Sequence, residues 1–242
     1  MSKTSHQIQI ALSQIRNNAN LAVEELTSSI HSAGQIACAR LTDDIPITSF
    51  RTYTITPWNR IAGNNEQGLR VRYMQNESII LLKAMTDFFN LFVNKSVHLN
   101  PGDILMITDC KRGEIFQVQS VTQGKNGQNI KTVNPLHYHY QLSAMLGHFN
   151  IMHYFIQKTN RFDSFGRPIF ALFVKDIKNH TVELVEGINQ LKFLFTLKQG
   201  EQFIDKEAKN IGDWSKVQGV NGELSVSSGQ LHKNWYFYAA LR

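Results

Sequence analysis

From Ile8 to Ala33 the apolar residues return at steps of three and four: Ile8, Leu12, Ile15, Ala19, Ala22, Val23, Leu26, Ile30 and Ala33. That spacing places them on one side of an α-helix, with Gln14, Arg16, Asn17, Asn18, Glu24 and Glu25 largely outside the stripe. Gly34 follows the last periodic residue, where a helix end favours a residue that tolerates positive φ. The helix is therefore predicted over roughly Ser5 to Ala33. The stripe is narrow, near coiled-coil spacing, and is expected to pack on a sheet or on a partner helix.

Beyond Gly34 the pattern shifts to strands. They are predicted at Leu69 to Gln75, Ser78 to Ala84, Ile104 to Thr108, Glu114 to Val121, Asn150 to Lys158 and Ile169 to Lys175. Further strands are predicted at Thr181 to Val185, Gln190 to Leu197, Leu224 to Ser227 and Trp235 to Leu241. Pro101-Gly102, Lys111-Arg112-Gly113, Gly124 to Gly127 and Phe165 to Pro168 supply turns between them. Two stretches lack periodicity and are expected to be loops: Thr42 to Glu66, broken by Pro46, Pro57-Trp58 and Gly63, and Phe203 to Val220, anchored by Trp214. The expected class is α+β: a long N-terminal amphipathic helix (residues 1–34) on an antiparallel sheet with extra strands and long loops (residues 35–242).

The chain has 242 residues, 42% of them hydrophobic, enough to bury a real core. Its net charge of +6 comes from 25 basic and 19 acidic residues scattered without runs, which argues for solubility and against a dedicated nucleic-acid site. Arg51, Arg60, Arg70, Arg72, Lys111 and Arg112, with Tyr53 and Trp58, could meet a nucleic acid, but alternation such as "LRVRYMQ" reads more simply as a strand with its arginines in water. No window approaches the ~20 apolar residues of a membrane span. Two cysteines, Cys38 and Cys110, stand alone without a CxxC or a histidine at ligand spacing, which leaves a disulfide or two free thiols. A bridge between them would contribute on the order of 4 kcal/mol and place the domain in an oxidising compartment.

Little else carries chemistry. Asp103, Asp109 and Glu114 could form a carboxylate pair, but they read as solvated strand ends and a hairpin shoulder. "LHYHYQL" sets His137 and His139 on one strand face and Tyr138 and Tyr140 on the other, with no third metal ligand signposted. His148 and His153 read as ordinary strand residues, and Asp205, Glu207 and Asp213 lack the spacing of a calcium loop. No phosphate-binding glycine loop, G-x-S-x-G or HExxH motif is present, so no catalytic residue, cofactor or metal is expected.

Taken together, several segments resemble one family, the type IV pilus minor pilins of the PilW type, related to the J pseudopilin of type II secretion. The matching pieces, in the family's order, are "NANLAVEELTSSIHSAGQIAC", "PGDILMITDCKRGEIFQV", "FNIMHYFIQK", "VELVEGINQLKFLFTL" and "NWYFYAALR". They cover most of the chain, and the Asp-Cys, Glu-Ile-Phe-Gln-Val run with Glu183 to Gly187 is the most specific. The family's basic leader and its apolar run with a glutamate are not among these residues. The turn also reads Ile36-Ala37-Cys38 where relatives often carry a glycine before the cysteine.

The resemblance implies a lollipop-shaped subunit whose helix begins in the membrane, through a segment not in this sequence, and continues onto a periplasmic head. It implies a Cys38 to Cys110 disulfide pinning helix to sheet. It implies a helix stripe of Ile8, Leu12, Ile15 and Ala19 facing other subunits. The partners would be other minor pilins, the major pilin, a pilus tip adhesin and the inner-membrane assembly platform. The expected role is pilus initiation and the tip complex, supporting twitching, adhesion or DNA uptake. The subunit would sit in the inner membrane before assembly and on the extracellular pilus after it. A pseudopilin of a secretion machine or a free periplasmic binding domain are the alternatives.

Overall fold

The structure is a computed structural model that describes residues 3–37, 39–41, 45–50, 53–64, 68–77 and 79–241. Helix α1 (Lys3–Ser32) is followed by β1 (Gln35–Ile36), β2 (Ala39–Arg40), β3 (Ile47–Ser49), β4 (Ile61–Asn64), β5 (Gly68–Met74) and β6 (Ile79–Ile80). Next come β7 (Asn90–Val93), β8 (Ile104–Thr108), β9 (Gly113–Gln123), β10 (Gln128–Thr132), β11 (Met145–Phe162) and β12 (Pro168–Lys175). The chain ends with β13 (Thr181–Glu186), β14 (Ile188–Gln199), β15 (Gln202–Lys206), β16 (Val217–Ser228) and β17 (Leu231–Ala240).

The α+β expectation is overturned. Strands take 51% of the chain and helix 15%, with one helix and large antiparallel sheets, so the protein is mostly β and not a pilin-type helix on a sheet. Periodicity understated the strands because polar residues pair in a ladder as readily as apolar ones. The run expected at Asn150 to Lys158 extends over Met145–Phe162, and the one expected at Leu224 to Ser227 over Val217–Ser228. The stretch expected as a loop at Thr42 to Glu66 holds β3 and β4, its residues 42–44, 51–52 and 65–66 lying outside those described. The second expected loop contains most of β15, two short 3₁₀ turns and the start of β16. Only Ile79–Ile80 is strand within the run expected at Ser78 to Ala84, and Ser78 lies outside the described residues.

The chain forms two compact units, each discontinuous in sequence and cutting across the expected division at residue 34. One comprises Met1–Ala33, Ile61–Val71 and Ile151–Arg242; the other comprises Gly34–Arg60 and Arg72–Asn150.

In the first unit, β15, β14, β16 and β17 form an antiparallel sheet in that spatial order, and β12 lies between the last part of β11 and β13. Alternate residues of the four-stranded sheet point inward: Leu191, Phe193 and Phe195 on β14, and Val220, Leu224 and Val226 on β16, all buried. Trp214 closes edge-on against Phe195 with ring centroids 4.8 Å apart, which makes it the anchor expected from sequence. Among the described residues no helix is long and apolar enough to cross a membrane.

In the second unit, β6, the start of β11, β8, β9, β10 and β7 lie side by side, with β3 added parallel to β9. The curl completes itself: Leu81, just after β6, bridges Val93 of β7, and the Leu82 amide donates to the Phe92 carbonyl at 2.8 Å. Leu91, Val93, Leu105, Ile107, Phe116, Val118, Ile130 and Leu146 fill the interior, all buried. The seam links the two ends of this run of strands, and β8, paired on its two sides by β11 and β9, is buried at every position.

Candidate functional site

Helix α1 contacts β13, β16 and β17 of its own unit. From Ile15 onward its stripe is consumed by that contact: Ile15, Ala19, Ala22, Leu26 and Ile30 are all 0% exposed. Polar residues flank the seam, with Asn18 Nδ2 donating to the Glu186 carbonyl at 3.0 Å and Ser228 Oγ to Gln14 Oε1 at 2.7 Å. Further along, Tyr154 Oη donates to Glu25 Oε1 at 2.9 Å. Gln14, Asn18, Glu186, Gly187 and Ser228 line a polar cleft beside this seam.

Of the four helix residues expected to face partners, two therefore cannot do so. Ile15 and Ala19 are core residues of the unit, because the sheet reaches further towards the helix N-terminus than the periodicity could show. Leu12 is half-buried and Ile8 is 45% exposed. Ile10, 46% exposed, and Leu21 also face solvent, on a side of the helix away from the stripe. They were missed because each is an isolated apolar residue; their separation of three turns, which aligns them on one face, was the available signal.

Cys110 is disulfide-bonded, exposed at the β8–β9 hairpin, and holds a φ of 68°. Its amide donates to Thr108 Oγ1 at 3.1 Å, and Asp109 Oδ1 accepts from the Lys111 and Arg112 amides. Cys38 lies outside the described residues.

The carboxylates read from sequence as solvated are instead structural. Glu114 is 2% exposed; its carboxylate accepts from the His137 and Tyr138 amides and meets His137 Nδ1 at 2.7 Å. His148 stands between two others, with Nδ1 2.6 Å from Glu77 and Nε2 3.4 Å from Asp103, and so ties β11 to the loop before β6 and the start of β8. Asp103 itself caps a turn by accepting from the Asn100 amide at 2.8 Å. "LHYHYQL" is not a strand, although its alternation survives: His137 and His139 are exposed and Tyr140 is buried. His139 lies against Phe88 with ring centroids 4.1 Å apart, and His153 lies 5.2 Å from Phe155.

Tyr140 is buried at 0% and its hydroxyl finds no hydrogen-bond partner among the described residues. Burial, with Glu114 and Asp109 nearby, pushes its phenol well above the ordinary value. A buried hydroxyl without a partner is a liability, so Tyr140→Phe is expected to hold or raise stability by up to about 1 kcal/mol in urea unfolding. A loss above that would show that the hydroxyl is satisfied.

The late acidic residues go to separate partners. Asp205 accepts from Thr196 Oγ1 at 2.7 Å and from Asn221 Nδ2, Glu207 pairs with Lys209, and Asp213 accepts from the Ser215 amide and hydroxyl. No three His, Cys, Asp or Glu side chains gather into a metal-holding group among the described residues.

Of the cations considered for nucleic acid, Arg60 and Arg112 are taken up within the protein. Arg60 is buried, which lowers its guanidinium below the ordinary value, and Arg112 lies over the Tyr138 ring at 4.4 Å while pairing with Asp109. Arg51 lies outside the described residues. The chain matches no family model, no curated protein and no solved structure.

Proposed function

We propose that this chain is a structural assembly subunit of the minor pilin kind, acting in pilus initiation and the tip complex. The observation that carries this reading is the mismatch between helix and sheet. The apolar stripe of α1 continues beyond its cover, leaving Ile8 exposed and Leu12 half-buried, while Ile15, Ala19, Ala22, Leu26 and Ile30 are core. An amphipathic helix whose last two N-terminal turns lack a cover is suited to pack against a neighbouring subunit's helix. The segment resemblances point the same way.

On this reading the head stands in the periplasm before assembly and at the pilus tip afterwards, the membrane being reached through a segment outside this sequence. The partners are other minor pilins, the major pilin, a tip adhesin and the assembly platform. Cys110 pairs with Cys38, and a non-reducing peptide map lacking that cross-link would remove this part of the proposal.

The experiment is complementation of a deletion strain. Ile8→Asp is expected to leave the unfolding free energy of the purified protein within about 0.5 kcal/mol of wild type, because the site is exposed. It is also expected to reduce surface pili severalfold. Undiminished pili from a deletion strain carrying Ile8→Asp, or pili unaffected by the deletion itself, would overturn the reading.

A further inference from the structure

β17 is an outer strand of its sheet, and among the described residues no strand pairs with its free edge. Its ladder to β16 runs from Ser228↔Leu231 to Gly219↔Ala240 without a register shift. The strand is ten residues long and has no proline. β15, at the opposite edge of the same sheet, has five residues. Long, regular, apolar edges are normally shortened, bulged, charged or covered, because their unpaired amides and carbonyls accept another strand.

Helix α1 packs against β17, and beyond that the strand has little such protection. Its charge is confined to Lys233, next to His232, and the strand then reads Asn-Trp-Tyr-Phe-Tyr-Ala-Ala. Ala239 is buried, whereas Tyr236 and Tyr238, on the opposite face, are 72% and 53% exposed. Glu223 on β16 accepts from Asn234 Nδ2 at 2.8 Å and Tyr236 Oη at 3.3 Å, so the nearest carboxylate on that face is already engaged.

We propose that this edge is a homotypic pairing site, at which two copies of the chain join their β17 strands antiparallel about a twofold axis at Tyr236. The occupant is argued from self-complementarity. In that register Tyr236 faces its own copy, Trp235 faces Phe237, Asn234 faces Tyr238 and Lys233 faces Ala239. Aromatic residues meet across the strands, which favours a ladder, and no like charges stand opposite each other. A twofold contact needs such a self-complementary patch. The inference stands independently of the pilin reading, since it uses β17 and not α1.

A contact built on one strand pair falls at the small end of interface sizes, below about 1,200 Å² in total, so the association is weak and concentration-dependent. Light scattering on the full chain between about 1 and 200 µM is expected to show mass rising from the 27.7 kDa monomer towards twice that value. Tyr236→Lys sets two cations face to face and is expected to weaken association by about tenfold or more with an unchanged melting temperature. Tyr236→Cys is expected to trap a dimer under mild oxidation, with the 236–236 cross-linked peptide found on mapping, and it decides the matter even if the lysine variant folds poorly. A chain monomeric throughout the range would overturn the proposal. So would a dimer that Tyr236→Lys leaves intact and that Tyr236→Cys does not cross-link.

Discussion

Gly68→Ala is expected to destabilise the protein by about 4 kcal/mol or more, the range reserved for backbone strain and buried clashes. Gly68 opens β5 with φ at +85°, a region that L-residues rarely adopt. A methyl group there would lie 1.9 Å from the Tyr154 carbonyl oxygen and 2.9 Å from its carbon, both backbone atoms of β11 that cannot swing aside. Both effects therefore fall on the core of the first unit, where Tyr154 is buried. Gly102 separates the two contributions: its φ is +90° but nothing lies within 4 Å of an added methyl. Gly102→Ala should therefore cost only the conformational strain, about 1–2 kcal/mol. Urea unfolding of both variants measures the difference, and equal losses would contradict the clash.

The second large effect is expected at Glu114. Glu114→Ala removes the acceptor that satisfies the His137 and Tyr138 amides at 2.8 and 3.0 Å in a site that is 2% exposed. Two part-buried donors then lose their shared acceptor, and the loss is expected near about 2–4 kcal/mol, the cost of unpairing two such amides. Glu114→Gln keeps one amide oxygen as acceptor but loses the charge and one acceptor, and should cost about 1–2 kcal/mol. His137 contributes little to this difference because its side chain is 64% exposed, so His137→Ala should fall within about 0.5–1 kcal/mol of wild type. The ordering of the three variants in urea midpoints is the test, and a His137→Ala loss as large as that of Glu114→Ala would show that the ion pair, not the amides, holds the turn.

How far the sequence reveals this molecule depends on whether the partners of a residue are local. The helix follows from a local period, and the observed Lys3–Ser32 ends beside Gly34, whose φ of +76° explains why the helix stops there. Ile104–Thr108 coincides with its predicted strand because every side chain in it is buried, leaving an unbroken apolar run. The first half of β16 is hidden in sequence by Gly219 and Gly222, which look like turn residues. In the fold they are the places where the Tyr238 and Phe237 side chains come close to the strand, an added methyl coming 2.4 and 2.0 Å from those side chains.

Long-range partners are what the chain conceals. Glu114 reads as a hairpin shoulder until residues 137 and 138 bring their amides to it, and His148 reads as a strand residue until Glu77 and Asp103 arrive from either side. The stripe of α1 shows which side of the helix is apolar, not where the sheet beneath it ends. That is why Ile15 and Ala19 turn out to be core residues while Ile8 stays outside. The candidate surface is thus shorter than the periodicity suggests, while Ile10 and Leu21 lie exposed on the opposite side of the helix.

Site-specific photo-crosslinking in the source cell tests the assembly reading most directly. A crosslinker placed at Ile8 is expected to capture another pilus subunit through that subunit's helix, while the same group at Leu26, wholly buried in this chain, captures nothing outside it. Silence at Ile8, or capture at Leu26 with none at Ile8, would contradict the claim that the uncovered turns of α1 are where this subunit joins its neighbours.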